Sequence, residues 1–250
     1  MSAEDKVRRR RHVYGRVHGK TLRSRQANLM ETLYPRVSIS LEPEAIDPAA
    51  LFSARVDEVW LEIGFGGGEH LAWQAARNPH IGVIGCEPFI NGIAKLVSEI
   101  DEQGLANVRI HGDDARFLLE KLTPGSISRI FLLYPDPWPK KRHNKRRFVN
   151  AETLALLARA LKEGGELRIA SDIPDYVAWT LAHIRRHNLA GESRFEWLAE
   201  SPADWRERPE DWLRTRYEAK AVREGRTPAY LRFRRERAAG TCEKPHKSAI

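Results

Sequence analysis

Cysteine is almost missing from this chain. There are two in 250 residues, Cys86 and Cys242, far apart and outside any Cys-x-x-Cys pair. A thiolate metal cage and a disulfide framework are therefore unsupported, and the usage fits a reducing, cytoplasmic compartment. Long apolar runs are missing too. No stretch approaches the length of a membrane span, and the charged N-terminus has no apolar core behind it to make a secretory signal. The sequence also lacks internal repeats, long low-complexity linkers and any Ser-His-Asp or Cys-His arrangement for nucleophilic catalysis. An acidic balance is absent: the formal net charge is +8, which favours polyanionic partners such as nucleic acid.

What is present suits a globular enzyme. The length fits one α/β domain with a sizeable core, and 42% of residues are hydrophobic. Residues 1–30 are dominated by Arg, Lys, Gly and Ser, with Arg8 to Arg11 as a cationic block. They read as a mobile basic arm. Residues 31–237 read as a single domain, and 238–250 as a frayed, disordered tail. From Glu58 onward apolar runs of strand type alternate with helical spacing. The expected strands are Val59–Phe65, Ile81–Cys86, Val108–His111, Ile127–Leu133 and Glu166–Ala170, with Phe195–Leu198 and Tyr230–Phe233 last. Between them lie expected helices at Glu69–Arg77, Ile90–Ile100, Phe117–Leu122, Thr153–Leu161 and Tyr176–His187, the fourth stopping at Gly164-Gly165. This alternation predicts a mostly parallel sheet of about seven strands with helices on both faces.

In a parallel sheet the strands' carboxyl ends share one edge, where open α/β folds bind their ligands. Five successive strand ends carry an acid there: Glu62, Glu87, Asp113 with Asp114, Asp136, and Asp172. The first strand runs into Gly64-Phe65-Gly66-Gly67-Gly68. Glycines at this point let backbone N–H groups approach a ligand without a Cβ in the way. The loop departs from the dinucleotide fingerprint, because Glu69 occupies the third glycine position. A carboxylate at a helix start disfavours a pyrophosphate, so a nucleoside cofactor without phosphates fits better. Glu87 suits a ribose and Asp114 an adenine amino group. An acidic pocket attracts a cation, and S-adenosyl-L-methionine meets all these needs.

The most informative run is Tyr134-Pro-Asp-Pro-Trp-Pro-Lys-Lys-Arg-His-Asn-Lys-Arg-Arg147. Prolines 135, 137 and 139 stiffen a loop that presents Asp136 beside Trp138. A dense block of Lys and Arg follows at once and suggests a large anionic ligand.

These residues resemble the bacterial tRNA (guanine-N7)-methyltransferases, S-adenosylmethionine enzymes of the Rossmann-like class I fold. The matching segments are Leu61 to Gly66, Gly85-Cys86-Glu87, Asp114-Ala115, Pro135 to His143, Ser171-Asp172 and Thr215 to Glu218. They lie within residues 20–235, and the proline-rich run is far more specific than the glycine loop. The resemblance implies methyl transfer to N7 of a guanine in the tRNA variable loop. It implies cofactor contacts by Glu62, Gly64, Gly66, Glu87, Asp114 and Asp136, with Asp136 also the catalytic residue. Lys140, Asp172, Thr215, Arg216, Tyr217 and Glu218 would hold the substrate. Arg142, His143, Asn144, Lys145, Arg146 and Arg147 would touch RNA. The expected partner is tRNA, with no metal and no membrane, and the chain would act as a monomer or homodimer. Departures from the family's pattern are Gly67-Gly68, Asn144, Ser171 and Tyr217.

The chemistry agrees with what is missing. Guanine N7 has an exposed lone pair and no proton, so no general base is needed and catalysis rests on positioning. Asp136 and Asp172 could stabilise the charge that develops on the base and select guanine through its N1–H and amino group. Two other readings fit parts of the sequence. One is methylation of an exocyclic amino group on a nucleic-acid base, N6 of adenine or N2 of guanine, which uses a similar acid-and-proline loop. The other is a non-catalytic RNA-binding module.

Overall fold

The computed structural model describes Gly15, residues 17–191 and residues 193–237. The chain forms α1 (Ser24–Thr32), α2 (Tyr34–Val37), β1 (Glu58–Ile63), α3 (Glu69–Arg77), β2 (Ile81–Cys86), α4 (Ile90–Gln103), β3 (Val108–His111) and α5 (Ala115–Lys121). It continues with β4 (Ile127–Leu133), α6 (Ala151–Ala160), β5 (Leu161–Ser171), α7 (Pro174–Ala190), β6 (Ser193–Trp197), α8 (Ala203–Arg206), α9 (Arg216–Arg223) and β7 (Ala229–Arg237). Short 3-10 turns occupy Pro48–Leu51 and Lys141–Arg146.

Seven strands make one sheet in the order β3-β2-β1-β4-β5-β7-β6. The first five are mutually parallel, while β7 runs antiparallel to both β5 and β6. Both faces are covered, as the near-continuous apolar strands require. Successive side chains of a strand point to opposite faces. Val59, Leu61 and Ile63 of β1, with Ile130 and Leu132 of β4, therefore join Leu118, Leu154, Leu157 and Ile184 of α5, α6 and α7 in one core. Trp60, Phe131 and Leu133 turn the other way, toward Leu71 of α3, Ile93, Leu96 and Val97 of α4, and Leu29 of α1. The strand order reverses between β1 and β4, which pair from Trp60↔Arg129 to Ile63↔Leu132. The loops that leave these two strands thus open on a single crevice.

Two expectations need correction. Helix α1 begins at Ser24, inside the stretch read as an arm. The sequence there offers few apolar residues, but Leu29 is buried among α3 and α4, and Met30 packs on the same cluster. Arg25 pairs with Asp101 (2.9 Å) and Glu102 (2.5 Å) on α4. Residues 1–14, including the Arg8–Arg11 block, and the tail 238–250 lie outside the described residues. The second correction concerns Gly164-Gly165, which do not end a helix. α6 stops at Ala160, and β5 runs from Leu161 through both glycines. The register jumps between Ile127↔Leu161 and Arg129↔Glu166, so the extra residues form a bulge. Gly164, at φ +74, supplies the left-handed backbone that the bulge needs.

Candidate active site

The glycine loop is built by backbone geometry. Gly64, Gly66 and Gly68 have φ of +71, +59 and +81, values that L side chains rarely adopt. Gly64 N–H donates to the Cys86 carbonyl (2.8 Å), which ties the loop to the end of β2. Glu87 then braces it. One carboxylate oxygen accepts from Gly66 N–H (2.8 Å) and the other from Phe89 N–H (3.0 Å). Each oxygen keeps a lone pair for a ligand hydroxyl. Burial pushes the Glu87 carboxyl above its ordinary value, against the two backbone bonds that lower it. Gly92, in the first turn of α4, is a site residue that the sequence reading missed. A Cβ there would lie 2.1 Å from the Gly66 carbonyl oxygen, so only glycine lets α4 come this close. A glycine inside an otherwise helical pattern was the available signal.

The loop after β4 is strained. Tyr134 and Trp138 adopt φ of 52 and 43 on either side of Pro135-Asp136-Pro137. Such conformations cost a non-glycine residue about 1–3 kcal/mol each and cluster at functional sites. Asp136 lies solvent-accessible on the crevice wall, and partial burial raises its carboxyl above the ordinary aspartate range. Burial likewise pushes the Tyr134 hydroxyl far up, with Tyr230 and Glu218 adding to it.

Gly64, Gly66, Glu87, Asp113, Asp114 and Asp136 all line one cavity of about 440 Å³. Five acidic strand ends were expected at one edge; the structure puts those of β2, β3 and β4 on this wall. Asp114 also caps α5 by accepting from Arg116 N–H (2.9 Å), and the Arg116 guanidinium chelates both its oxygens. An adenine amino group would share that carboxylate with Arg116. Glu62 lies behind the wall. It is buried and bonds His70 Nδ1 (2.7 Å), whose Nε2 meets Gln74 (3.2 Å). Asp172, at the end of β5, pairs with Arg226 (2.5 Å) and is off the cavity wall.

The segment Thr215–Glu218 arrives from far along the chain to cover the glycine loop. Thr215 Oγ1 caps α9 by accepting from Glu218 N–H (3.2 Å). Glu218 is buried and paired with Arg208 (3.1 Å). Arg216 N–H donates to Glu69 (3.3 Å), so the residue that broke the dinucleotide fingerprint anchors this segment instead. Tyr217 lies on the cavity wall; a Cβ at Gly66 would sit 3.0 Å from its ring.

The cationic run is wound into the Lys141–Arg146 turn. Lys140, Lys141, Arg142 and Lys145 are exposed, so their charges face solvent. His143 packs edge-on to Trp138 (5.9 Å), and Arg146 lies 4.9 Å over the same ring. Desolvation and the surrounding Arg146, Arg142, Lys140 and Lys145 lower the His143 pKa and so favour the neutral ring. The Asn144 amide, in the orientation its neighbours dictate, donates to the Trp138 (3.2 Å) and Lys140 (3.3 Å) carbonyls. Arg147, the last of the expected RNA contacts, differs from the rest of the run. It is 1% exposed, donates to the Pro137 carbonyl (2.8 Å) and pairs with Asp175. Among the described residues no group of three or more His, Cys, Asp or Glu could hold a metal, and no helix is long and apolar enough to cross a membrane.

Comparisons with known proteins show the family. A family model described as "Putative methyltransferase" matches residues 57–230. The chain is 55% identical over 242 residues to the tRNA (guanine-N(7)-)-methyltransferase of Ruegeria pomeroyi, covering 94% of this chain and 99% of that one. It is 52% identical over 235 residues to the enzyme of that name from Azorhizobium caulinodans, covering 94% and 100%. Against the one from Rhodospirillum rubrum, identity is 50% over 226 residues, covering 89% and 87%. Among solved structures, an antibiotic-related methyltransferase superposes with a TM-score of 0.50 at 17% identity, covering 88% of this chain and 97% of that one. The [4+2]-cyclase SpnF does so with 0.50 at 15%, covering 85% and 80%. These two speak for the fold alone, since one of them is named for a different reaction. From the sequence relatives and the matched family model, the chain belongs to the tRNA (guanine-N(7)-)-methyltransferase family.

Proposed function

We propose that this protein transfers the methyl group of S-adenosylmethionine to N7 of a guanine in tRNA, and that the target lies in the variable loop. The observation that carries this reading is the junction at Trp138. The strained loop holding Asp136 on a cavity wall with Glu87, Asp113 and Asp114 runs straight into a cationic turn whose Lys145 and Arg146 border the same cavity. The donor set suits the cofactor. Glu87 keeps free lone pairs beside a glycine loop that is exposed at Gly64, as a ribose needs, and Asp113 and Asp136 offer negative charge to a cation. S-adenosylmethionine supplies an electrophilic methyl group on a sulfonium.

The chain's own residues do the remaining work. Lys140, Lys141, Arg142 and Lys145 hold the phosphate backbone and orient the RNA without reading its sequence. Trp138 offers a face on which a base can stack. Asp136 accepts from the guanine N1–H and amino group and stabilises the positive charge that methylation leaves on the ring. Guanine N7 gives up no proton, so no residue is needed to take one. Tyr217, lying on Gly66, closes the cavity from the α9 side. Lys140, Asp172, Arg216 and Glu62 act from outside the cavity wall, through the RNA, through Arg226 and through the packing of the glycine loop. The reaction belongs in the cytoplasm, where tRNA and the cofactor meet.

The variable-loop assignment is tested with two tRNA transcripts, one natural and one with its variable-loop guanine replaced by adenine. Methyl incorporation into the first and none into the second supports the assignment. Equal incorporation into both refutes it.

A further inference from the structure

Arg147 ends the cationic run, yet its surroundings give it a different task. Its Nε donates to the Pro137 carbonyl at 2.8 Å, and its terminal nitrogen pairs with Asp175, at the start of α7. The guanidinium carbon lies 4.9 Å from the Trp179 ring centroid and 5.5 Å from that of Tyr176, both on α7. The residues that follow are fastened to the same helix. Trp179 Nε1 donates to the Val149 carbonyl (2.6 Å), and Val149 N–H donates to the Tyr176 hydroxyl (3.4 Å). Arg147 is thus fixed from below by α7 and reaches up to one atom of the active loop.

That atom matters because of what the loop lacks. Prolines 135, 137 and 139 have no N–H, so carbonyls are the main backbone handles in this stretch. Pro137 stands between Asp136 and Trp138, and the left-handed backbones at Tyr134 and Trp138 persist only when their surroundings hold them. A planar fork with several donors can bond a carbonyl and a carboxylate at once; an ammonium is a compact point charge without that fixed geometry.

We propose that Arg147 is a positioning residue for methyl transfer: it holds the Asp136 loop in its strained form through the Pro137 carbonyl and makes no contact with RNA. The proposal rests on the function proposed above and deepens it.

The test compares Arg147→Lys and Asp175→Asn in the full chain. For each variant, kcat, KM for tRNA, tRNA affinity across a salt series, and hydrogen exchange at the Asp136 and Trp138 amides are measured. Arg147→Lys is expected to lower kcat at least tenfold, while tRNA affinity and its salt slope stay within twofold of wild type. Asp175→Asn removes the charged partner from an exposed position and should move kcat in the same direction, by less. Both variants should speed exchange in the loop. Weakened tRNA binding with a flatter salt slope and an unchanged kcat would make Arg147 an RNA contact and overturn the proposal. An unchanged kcat in both variants would reduce it to a core ion pair, with the same result. If Arg147→Lys fails to fold, an unchanged kcat in Asp175→Asn alone overturns the proposal. A wild-type chain that forms no 7-methylguanosine defeats the proposed function instead, and loop exchange in the variants still reports whether Arg147 holds the loop.

Discussion

Asp136 shows at the scale of one residue how function and stability pull apart. Partial burial raises its carboxyl pKa above the 3.8 of an ordinary aspartate. A group whose pKa is raised on folding contributes its stability below the unfolded value, and that contribution is lost as pH rises through the folded one. Once ionised, the carboxylate is therefore tolerated rather than stabilising. Asp136→Asn should lower methyl transfer at least ~100-fold, in line with the loss of a preorganised electrostatic group. The same substitution should leave tRNA affinity intact and the Tm at pH 7 equal to or above that of wild type. A lower Tm with retained turnover would contradict this role. The pH profile follows from the same sign. Activity requires Asp136 and Glu87 ionised, and both are raised, so kcat/KM should fall on acidification at a pH above the ordinary carboxylate range. Asp136→Asn should remove the Asp136 part of that acid limb from any residual activity.

Among the elements, the glycine loop and the cationic turn carry the predictions. Gly92→Ala drives a methyl group into the Gly66 carbonyl, which is backbone and cannot rotate away. Overpacking of this kind costs about 1–3 kcal/mol, or roughly a tenfold to hundredfold loss of affinity where the strain falls on the binding loop. Calorimetric titration with S-adenosylhomocysteine checks it; unchanged affinity would mean that the loop is free to move. In the cationic turn, replacing Lys140, Lys141, Arg142 and Lys145 with alanine should weaken tRNA binding. It should also reduce the slope of log affinity against log salt by up to ~3.6, at about 0.7–0.9 for each phosphate no longer neutralised. Arg147 is left out of that set because it is buried. The sequence showed where cations cluster but not which of them point outward. A 3-10 turn of six residues presents Lys141, Arg142 and Lys145 to solvent and leaves Arg146 half-covered over Trp138. Arg147 then follows the turn inward, and only the position of α7 decides that.

For the molecule as a whole, topology explains why the site was readable before the fold was seen. β2, β3 and β4 have the limits that apolar periodicity predicts, and the sheet order puts the ends of β1 and β4 side by side. Motifs in the loops after those strands must then meet. The antiparallel insertion of β7 between β5 and β6 was not legible, because an apolar run such as Tyr230–Phe233 carries no sign of its direction. Glu62 was also beyond sequence reasoning. Its place at a strand end suggested the cavity, yet its carboxylate bonds His70, on the far side of the glycine loop. Likewise, Glu69 first counted against a phosphate and proved to be the anchor for Arg216, 147 residues away. Contacts at such separation depend on the whole sheet having formed.

One labelling experiment with the full chain decides whether it methylates guanine N7 in tRNA. The protein is incubated with methyl-labelled S-adenosylmethionine and bulk tRNA, and the tRNA is then digested to nucleosides and separated. Label in 7-methylguanosine is the expected result. Label in N6-methyladenosine or N2-methylguanosine, or tRNA bound without any label, would contradict it.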